Sequence, residues 1–349
     1  MGSEAALLRV GALVALAVVV GSALLTGVVR KFALARGVVD EPNERSSHAV
    51  TTPRGGGIAI VVTSIAGWAA VTVLQYLPLR SFIALAGGGA AVALVGWLDD
   101  RRGLSARVRL TVHVAAALWA LGWLGGLPAF QAGGHSVALG CGGYVLGVLG
   151  VVWTLNLFNF MDGIDGIAAL EAVFIGLGGA LLATATGAGG GVAAAALVTA
   201  AAACGFLFWN WPPARIFMGD VGSGYLGYVI AVLALMAGHD HPPSLLAWLL
   251  LGGLFFVDAT VTLIRRVARG EGPSVAHRSH AYQWLSRRWR SHLRVSLTFL
   301  LINVLWLLPL AYIATEQPNI SIFALLGGVV PVVLLVLWAG AGRDETPGA

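Results

Sequence analysis

Runs of roughly 18–25 apolar residues recur along the whole chain, each long enough to cross a hydrocarbon layer of about 30 Å as an α-helix. About eleven can be marked, at residues 5–29, 57–77, 81–98, 110–127, 137–157, 166–186, 191–209, 221–238, 244–264, 295–313 and 320–339. The first run is too long for a cleavable signal peptide, and no small-residue cleavage site and polar mature domain follow it. Of the 349 residues, 58% are hydrophobic and only 11% charged, with a mean hydropathy of +0.85. A soluble domain is about a quarter charged, and a soluble fold cannot hide this much apolar surface. The composition excludes an ordinary soluble enzyme, a disordered chain and a disulfide scaffold. Cys141 and Cys204 lie inside apolar stretches and read as small buried hydrophobes. The expected fold class is all-α: a polytopic membrane helix bundle of about 11 transmembrane helices, one integral-membrane domain over residues 1–349 with no clear internal repeat.

Basic residues orient the bundle. With the N-terminus outside, the inner loops are about 30–56, 99–109, 158–165, 210–220 and 265–294, plus the C-terminal tail. Of the 21 Lys and Arg, only Arg9 and Arg80 then fall elsewhere. The acids follow: Asp40, Glu41, Glu44, Asp99, Asp100, Asp162, Asp165, Asp220 and Glu271 lie in or beside the same loops. The expected working face is therefore cytoplasmic.

Five inner loops carry dense polar motifs. The first reads Asp40-Glu-Pro-Asn43-Glu-Arg45-Ser-Ser-His48, followed by Thr-Thr-Pro53-Arg54-Gly-Gly-Gly57, where prolines stiffen the loop and glycines admit close backbone approach. In the second, Asp99 and Asp100 end an apolar helix before Arg101 and Arg102; they read as a self-neutralising helix end, or as carboxylates for metal or base work. Acids there oppose the helix dipole and need a compensating partner. In the third, Asn159, Asp162 and Asp165 recur every three residues, which on a helical turn places them on one face and suits a hard cation; helix capping explains one of them. The fourth places Asp220 between glycines just before a span, in Asn210-Trp-Pro-Pro-Ala-Arg215-Ile-Phe217-Met-Gly-Asp220-Val-Gly-Ser223, where a helix N-terminus can face an anion. It is neither a P-loop nor a dinucleotide fingerprint. The fifth is His277-Arg278-Ser279-His280 in the last basic loop. Its histidine spacing could ligate zinc, but no third N or S ligand stands nearby; with Arg287, Arg288 and Arg290 following, phosphate binding or lipid-headgroup contact fits better. Glu171 and Asp258, inside spans, read as support for the site. His113 reads as an interhelical residue. Gathered on one face, these loops make a carboxylate-rich centre ringed by Arg and His, a pattern that calls for Mg²⁺ bridging the oxygens of a diphosphate, with a lipid as one reactant.

These five ordered motifs, spread over residues 30–290, resemble the polyprenyl-phosphate N-acetylhexosamine-1-phosphate transferases (glycosyltransferase family 4). The His-Arg-Ser-His-Ala-Tyr-Gln loop is similar to that of the subgroup initiating O-antigen-type polysaccharides. It differs from the histidine-rich loop of the peptidoglycan enzyme that uses UDP-MurNAc-pentapeptide, which is the runner-up. The resemblance implies a polyprenyl (undecaprenyl) phosphate acceptor, a UDP-N-acetylhexosamine donor, release of UMP, and a bacterial inner-membrane enzyme of lipopolysaccharide-type cell-envelope synthesis. It implies Mg²⁺, with Mn²⁺ as the alternative ion, bound by Asp220 with Asn159. Asp99 and Asp100 would deprotonate or position the lipid phosphate, and a covalent route through Asp220 is disfavoured because a metal-bound carboxylate is a poor nucleophile. Phe217 would stack on uracil with Asn210 and Asp165 nearby; His277, Arg278 and His280 would hold the diphosphate; Asp162, Asp40, Asn43, Arg45 and His48 complete the substrate site. No nucleic-acid partner is implied, and a homodimer is left open. A transporter, the rival from another class, would place its polar residues near the midplane, and an intramembrane aspartyl protease needs paired aspartates within the membrane; neither pattern is present.

Overall fold

The computed structural model describes residues 2–41, 51–132, 135–185, 190–240, 244–272 and 277–343. The chain is nearly all α, and each apolar run becomes helix. The elements are α1 (Gly2–Arg36), α2 (Gly57–Val73), α3 (Leu79–Arg102), α4 (Ala106–Leu124), α5 (Gly140–Met161), α6 (Ile167–Ala185), α7 (Gly190–Asn210), α8 (Asp220–Asp240), α9 (Ser244–Leu251), α10 (Gly253–Ala268), α11 (Ala281–Trp289), α12 (His292–Ile302), α13 (Leu308–Glu316) and α14 (Ser321–Ala339). A π-helical turn, Asn303–Leu307, joins α12 to α13. Two short antiparallel ribbons interrupt the helical pattern: β1 (Val39–Asp40) with β2 (Thr52–Pro53), and β3 (Phe130–Ala132) with β4 (His135–Val137).

Among the described residues, eight helices are long and apolar enough to span a membrane by length and composition, or nine if a bent pair counts as one. The expected count of about eleven exceeds this for local reasons. Helix α2 has 17 residues, and α4 begins with two arginines, Arg107 and Arg109, in its first turn. The run at 244–264 is not one straight rod. It bends by 79° between α9 and α10, at Gly252.

Helix α8 is the hub. Nearly its whole length is buried, packed against α3, α5, α2 and α9. Two glycines let its N-terminal end be crowded by its neighbours. A Cβ on Gly57 would stand 2.4 Å from the Cα of Gly222, and one on Gly96 would stand 2.5 Å from the carbonyl oxygen of Asp220. Backbone therefore touches backbone where α2, α3 and α8 meet, a geometry that any larger residue at 57 or 96 would prevent. The surface of the bundle is rich in exposed Leu, Val, Phe and Trp, as lipid-facing helices require.

Candidate active site

The C-terminus of α3 and the N-terminus of α8 meet carboxylate to backbone. Asp100 accepts hydrogen bonds from the backbone N–H of Asp220 (3.0 Å) and Val221 (3.3 Å), so it caps α8. Asp99, its neighbour, turns elsewhere: it accepts from Leu104 N–H at 2.6 Å and pairs with the Arg109 guanidinium at 2.5 Å. The compensating partners that acids at a helix C-terminus require are thus in place. Adjacent residues on a helix do not share a face, and the pair divides accordingly.

Two arginines tie the carboxylates together. Arg54 Nη2 lies 2.8 Å from Asp100 Oδ1 and 2.8 Å from Asp220 Oδ1. Arg109 Nη1 reaches Asp220 Oδ2 at 3.8 Å. Sequence reasoning quoted both arginines without giving either a role. The signal was Arg54's place in Thr-Thr-Pro-Arg-Gly-Gly-Gly, three residues before Gly57, the glycine of close approach. The turn carrying Arg54 is stitched to the Asp220 loop: Phe217 N–H donates to the Pro53 carbonyl at 2.8 Å, and the N–H groups of Gly56 and Gly57 donate to the carbonyls of Phe217 and Met218, each at 2.9 Å.

These groups open onto a cavity of about 490 Å³. Asp99, Arg109, Asn159, Asp220, His277 and His280 form its polar end; Val92, Val95, Leu110 and Leu155 form an apolar wall along α3, α4 and α5. His113, read as an interhelical residue, also lines it. Asn159 donates to Ser223 Oγ at 3.0 Å and reaches the Asp220 carboxylate. Among the described residues no group of three or more His, Cys, Asp or Glu is arranged to hold a metal. The oxygens of Asp220 and Asn159 nevertheless suit Mg²⁺, which takes one or two protein ligands and fills its remaining positions with water and substrate phosphate.

The third motif does not form one helical face. Asn159 is in the last turn of α5, Asp162 is its C-cap, and Asp165 lies in the turn before α6. Asp162 is half-buried, and loss of water around it pushes its carboxyl above the ordinary 3.8, against the pull of Arg54 and with the help of Asp220, Asp100 and Asp165. Asp165 points to a second cavity of about 550 Å³ shared with Pro212, Arg278, Arg290 and His292. There it accepts from Ala214 N–H at 3.1 Å and pairs with His292 Nδ1 at 3.2 Å. Asn210 is buried, with both ends of its amide used: Oδ1 accepts from Gly166 N–H and Nδ2 donates to the Ile216 carbonyl, each at 3.0 Å. It braces the loop that carries Phe217, which is half-buried. The loop 277–280 straddles the two cavities, with His277 and His280 on the first and Arg278 on the second. Asp40 sits in β1, paired with Thr52; Asn43, Arg45 and His48 lie outside the described residues.

The two acids expected to support the site part company. Fully buried Asp258 accepts from the N–H groups of Ala281 (2.8 Å) and Tyr282 (3.0 Å), and so anchors the end of the 277–280 loop. Glu171 accepts instead from Asn303 at 2.6 Å, in the π-helical turn, and lines neither cavity. It belongs to helix packing, not to the site.

The sequence matches known proteins along most of its length. The model of a family described as Glycosyl transferase family 4 matches residues 82–238. A probable undecaprenyl-phosphate N-acetylglucosaminyl 1-phosphate transferase of Bacillus subtilis is 30% identical over 304 residues, covering 86% of this chain and 84% of that one. A decaprenyl-phosphate N-acetylglucosaminephosphotransferase of Mycobacterium tuberculosis is 30% identical over 365 residues, covering 93% and 87%. An undecaprenyl-phosphate alpha-N-acetylglucosaminyl 1-phosphate transferase of Escherichia coli is 27% identical over 274 residues, covering 74% and 71%. With these matches and the helix-end carboxylate site together, the chain belongs to the polyprenyl-phosphate N-acetylhexosamine-1-phosphate transferases of glycosyltransferase family 4.

Proposed function

We propose that this chain transfers an N-acetylhexosamine 1-phosphate from a UDP-sugar to a polyprenyl phosphate, in a bacterial inner membrane with the site on its cytoplasmic face, and that the product initiates an O-antigen-type polysaccharide. The observation that carries the reading is the two-natured cavity: paired Arg and Asp at one end, apolar faces of three helices at the other. A long-chain lipid phosphate has the same two natures. Its phosphate oxygen would attack the β-phosphorus, the bond to the UMP oxygen would break, and UMP would leave with the electron pair.

The chain's own residues divide that work. Arg109, ion-paired with Asp99 at the cavity's polar end, is placed to exchange a carboxylate for the incoming phosphate. Asp99 then remains beside that phosphate to hold its proton or position it. Asp220 is engaged by both arginines, which supports direct attack by the lipid phosphate over an Asp220-linked intermediate. His277, Arg278 and His280 would hold the donor diphosphate, with Phe217 toward the base. Mg²⁺, or Mn²⁺, held by Asp220 and Asn159 would neutralise and orient the two phosphoryl groups.

The test uses purified protein, undecaprenyl phosphate, Mg²⁺ and a panel of UDP-sugars bearing GlcNAc, QuiNAc, FucNAc or GalNAc. UMP release with at least one donor, stopped by EDTA, is expected. Absence of UMP with every donor, from folded protein, overturns the reading.

A further inference from the structure

The chain ends its last helix with Gly340-Ala341-Gly342-Arg343, two glycines around one alanine. Both glycines are left-handed, with φ of +106° and +64°, and Ala341 between them has no exposed surface. An isolated turn after a helix is ordinarily loose unless hydrogen bonds hold it. Here three hydrogen bonds do. Gly342 N–H donates to the Ser279 carbonyl at 2.6 Å, and Arg265 Nη1 donates to the Ala341 carbonyl at 2.6 Å. Arg269 Nη1 donates to the Gly342 carbonyl.

We propose that this C-terminal turn is a positioning element of the site: it clasps the 277–280 loop and sets where His277, Arg278 and His280 stand. The inference rests on the reading that this loop binds the donor diphosphate. Helix capping does not account for the contact. The N–H groups of Gly340 and Ala341 close the end of α14, donating to the Val336 carbonyl at 3.1 and 2.9 Å, whereas Gly342 N–H leaves the helix altogether. The bond to Ser279 is additional, and it leads into the site. Ser279 is buried, and its hydroxyl lies 2.9 Å from His277 Nδ1. The His277 ring in turn lies against His280, with centroids 4.9 Å apart. The loop is thus gripped from two sides: Asp258 of α10 holds the N–H groups that follow it, and Gly342 holds the Ser279 carbonyl. Arg265, also on α10, ties the two grips to one helix.

Two variants of the full enzyme test this. Gly342→Val has no room, since a Cβ there would stand 2.9 Å from Arg265 Cβ, and valine resists a φ of +64°. A chain ending at Ala339 removes the turn outright. In both, the KM for the UDP-sugar should rise about tenfold, with the KM for polyprenyl phosphate within about twofold. Amide hydrogen exchange over residues 277–289 should accelerate about tenfold at unchanged global melting temperature. Equal rises in both KM values, or exchange unchanged in the Gly342→Val loop, overturn the clasp. Wild-type protein that releases no UMP overturns the functional reading instead, while the exchange measurement still decides the clasp.

Discussion

Asp258→Ala removes a buried carboxylate that lines neither cavity. In the wild type its two oxygens accept from Ala281 N–H at 2.8 Å and Tyr282 N–H at 3.0 Å, and Oδ1 also accepts from Thr262 Oγ1 at 3.2 Å. Ala281 and Tyr282 are the first residues of α11, so Asp258 supplies the acceptors that a helix start lacks. Hydrogen bonds to a charged acceptor contribute roughly 1.5–3 kcal/mol each. Losing two, and stranding two buried donors, costs about 3–5 kcal/mol. At about 2 °C per kcal/mol for a chain this long, the melting temperature in detergent should fall by roughly 6–10 °C. Asp258→Asn keeps one oxygen for one of the two donors, so about half that loss is expected. Because the same contact fixes the end of the 277–280 loop, the donor KM should rise in the same order: Ala above Asn above wild type. Thermal unfolding and UMP-release kinetics on the three proteins decide it. An Asp258→Ala protein as stable as wild type, or an Asn variant worse than Ala, refutes the anchoring argument.

Asp220→Ala and Asp99→Ala should each lower kcat by about 100-fold or more while the protein still folds; full activity in Asp220→Ala removes its proposed metal role. Asp100→Ala should behave differently, losing stability by about 1–2 kcal/mol as well as turnover, because it uncaps α8; unchanged unfolding would refute the cap. For Asp162 the folded carboxyl holds its proton above the ordinary 3.8, so the folded state binds more protons than the unfolded one and stability falls as pH rises from 3.8 through the raised value. Asp162→Asn should flatten that slope in melting temperature against pH; an unaltered slope assigns it elsewhere. Gly57→Ala forces a Cβ to 2.4 Å from Gly222 Cα and should destabilise by about 1–3 kcal/mol, with turnover falling too, measured by thermal shift and UMP release.

Helices were legible where length and apolarity speak for themselves. Each run became helix because no hydrated alternative exists for such a segment in lipid. The bend between α9 and α10 was hidden by the same virtue. Its flanks are continuously apolar, and only the adjacent Gly252 and Gly253 mark the break. Glu171 was misjudged for a different reason. Its distance from the span's end was readable, but its partner was not: Asn303, in the π-helical turn, lies 132 residues away.

The candidate site was legible as a list and not as a set of bonds. Spacing of three suggested a common face for Asn159, Asp162 and Asp165, which holds only if the helix continues; it stops at Met161, and a turn at Asp165–Gly166, with Gly166 at φ +76°, redirects the chain. Asp99 and Asp100 look equivalent on the page because adjacency in sequence hides a rotation of about 100° around the helix. That rotation sends one carboxylate to Arg109 and the other to the backbone of α8. Arg54 carried the weakest signal of all, a cation in a connecting segment, yet its guanidinium touches two of the three acids at the α3–α8 junction. The reason is general to this architecture. A site assembled from helix ends takes its charges from residues whose neighbours in space come from other loops. What one sequence records of that assembly is the small residues, such as Gly57 and Gly96, without which the ends could not meet.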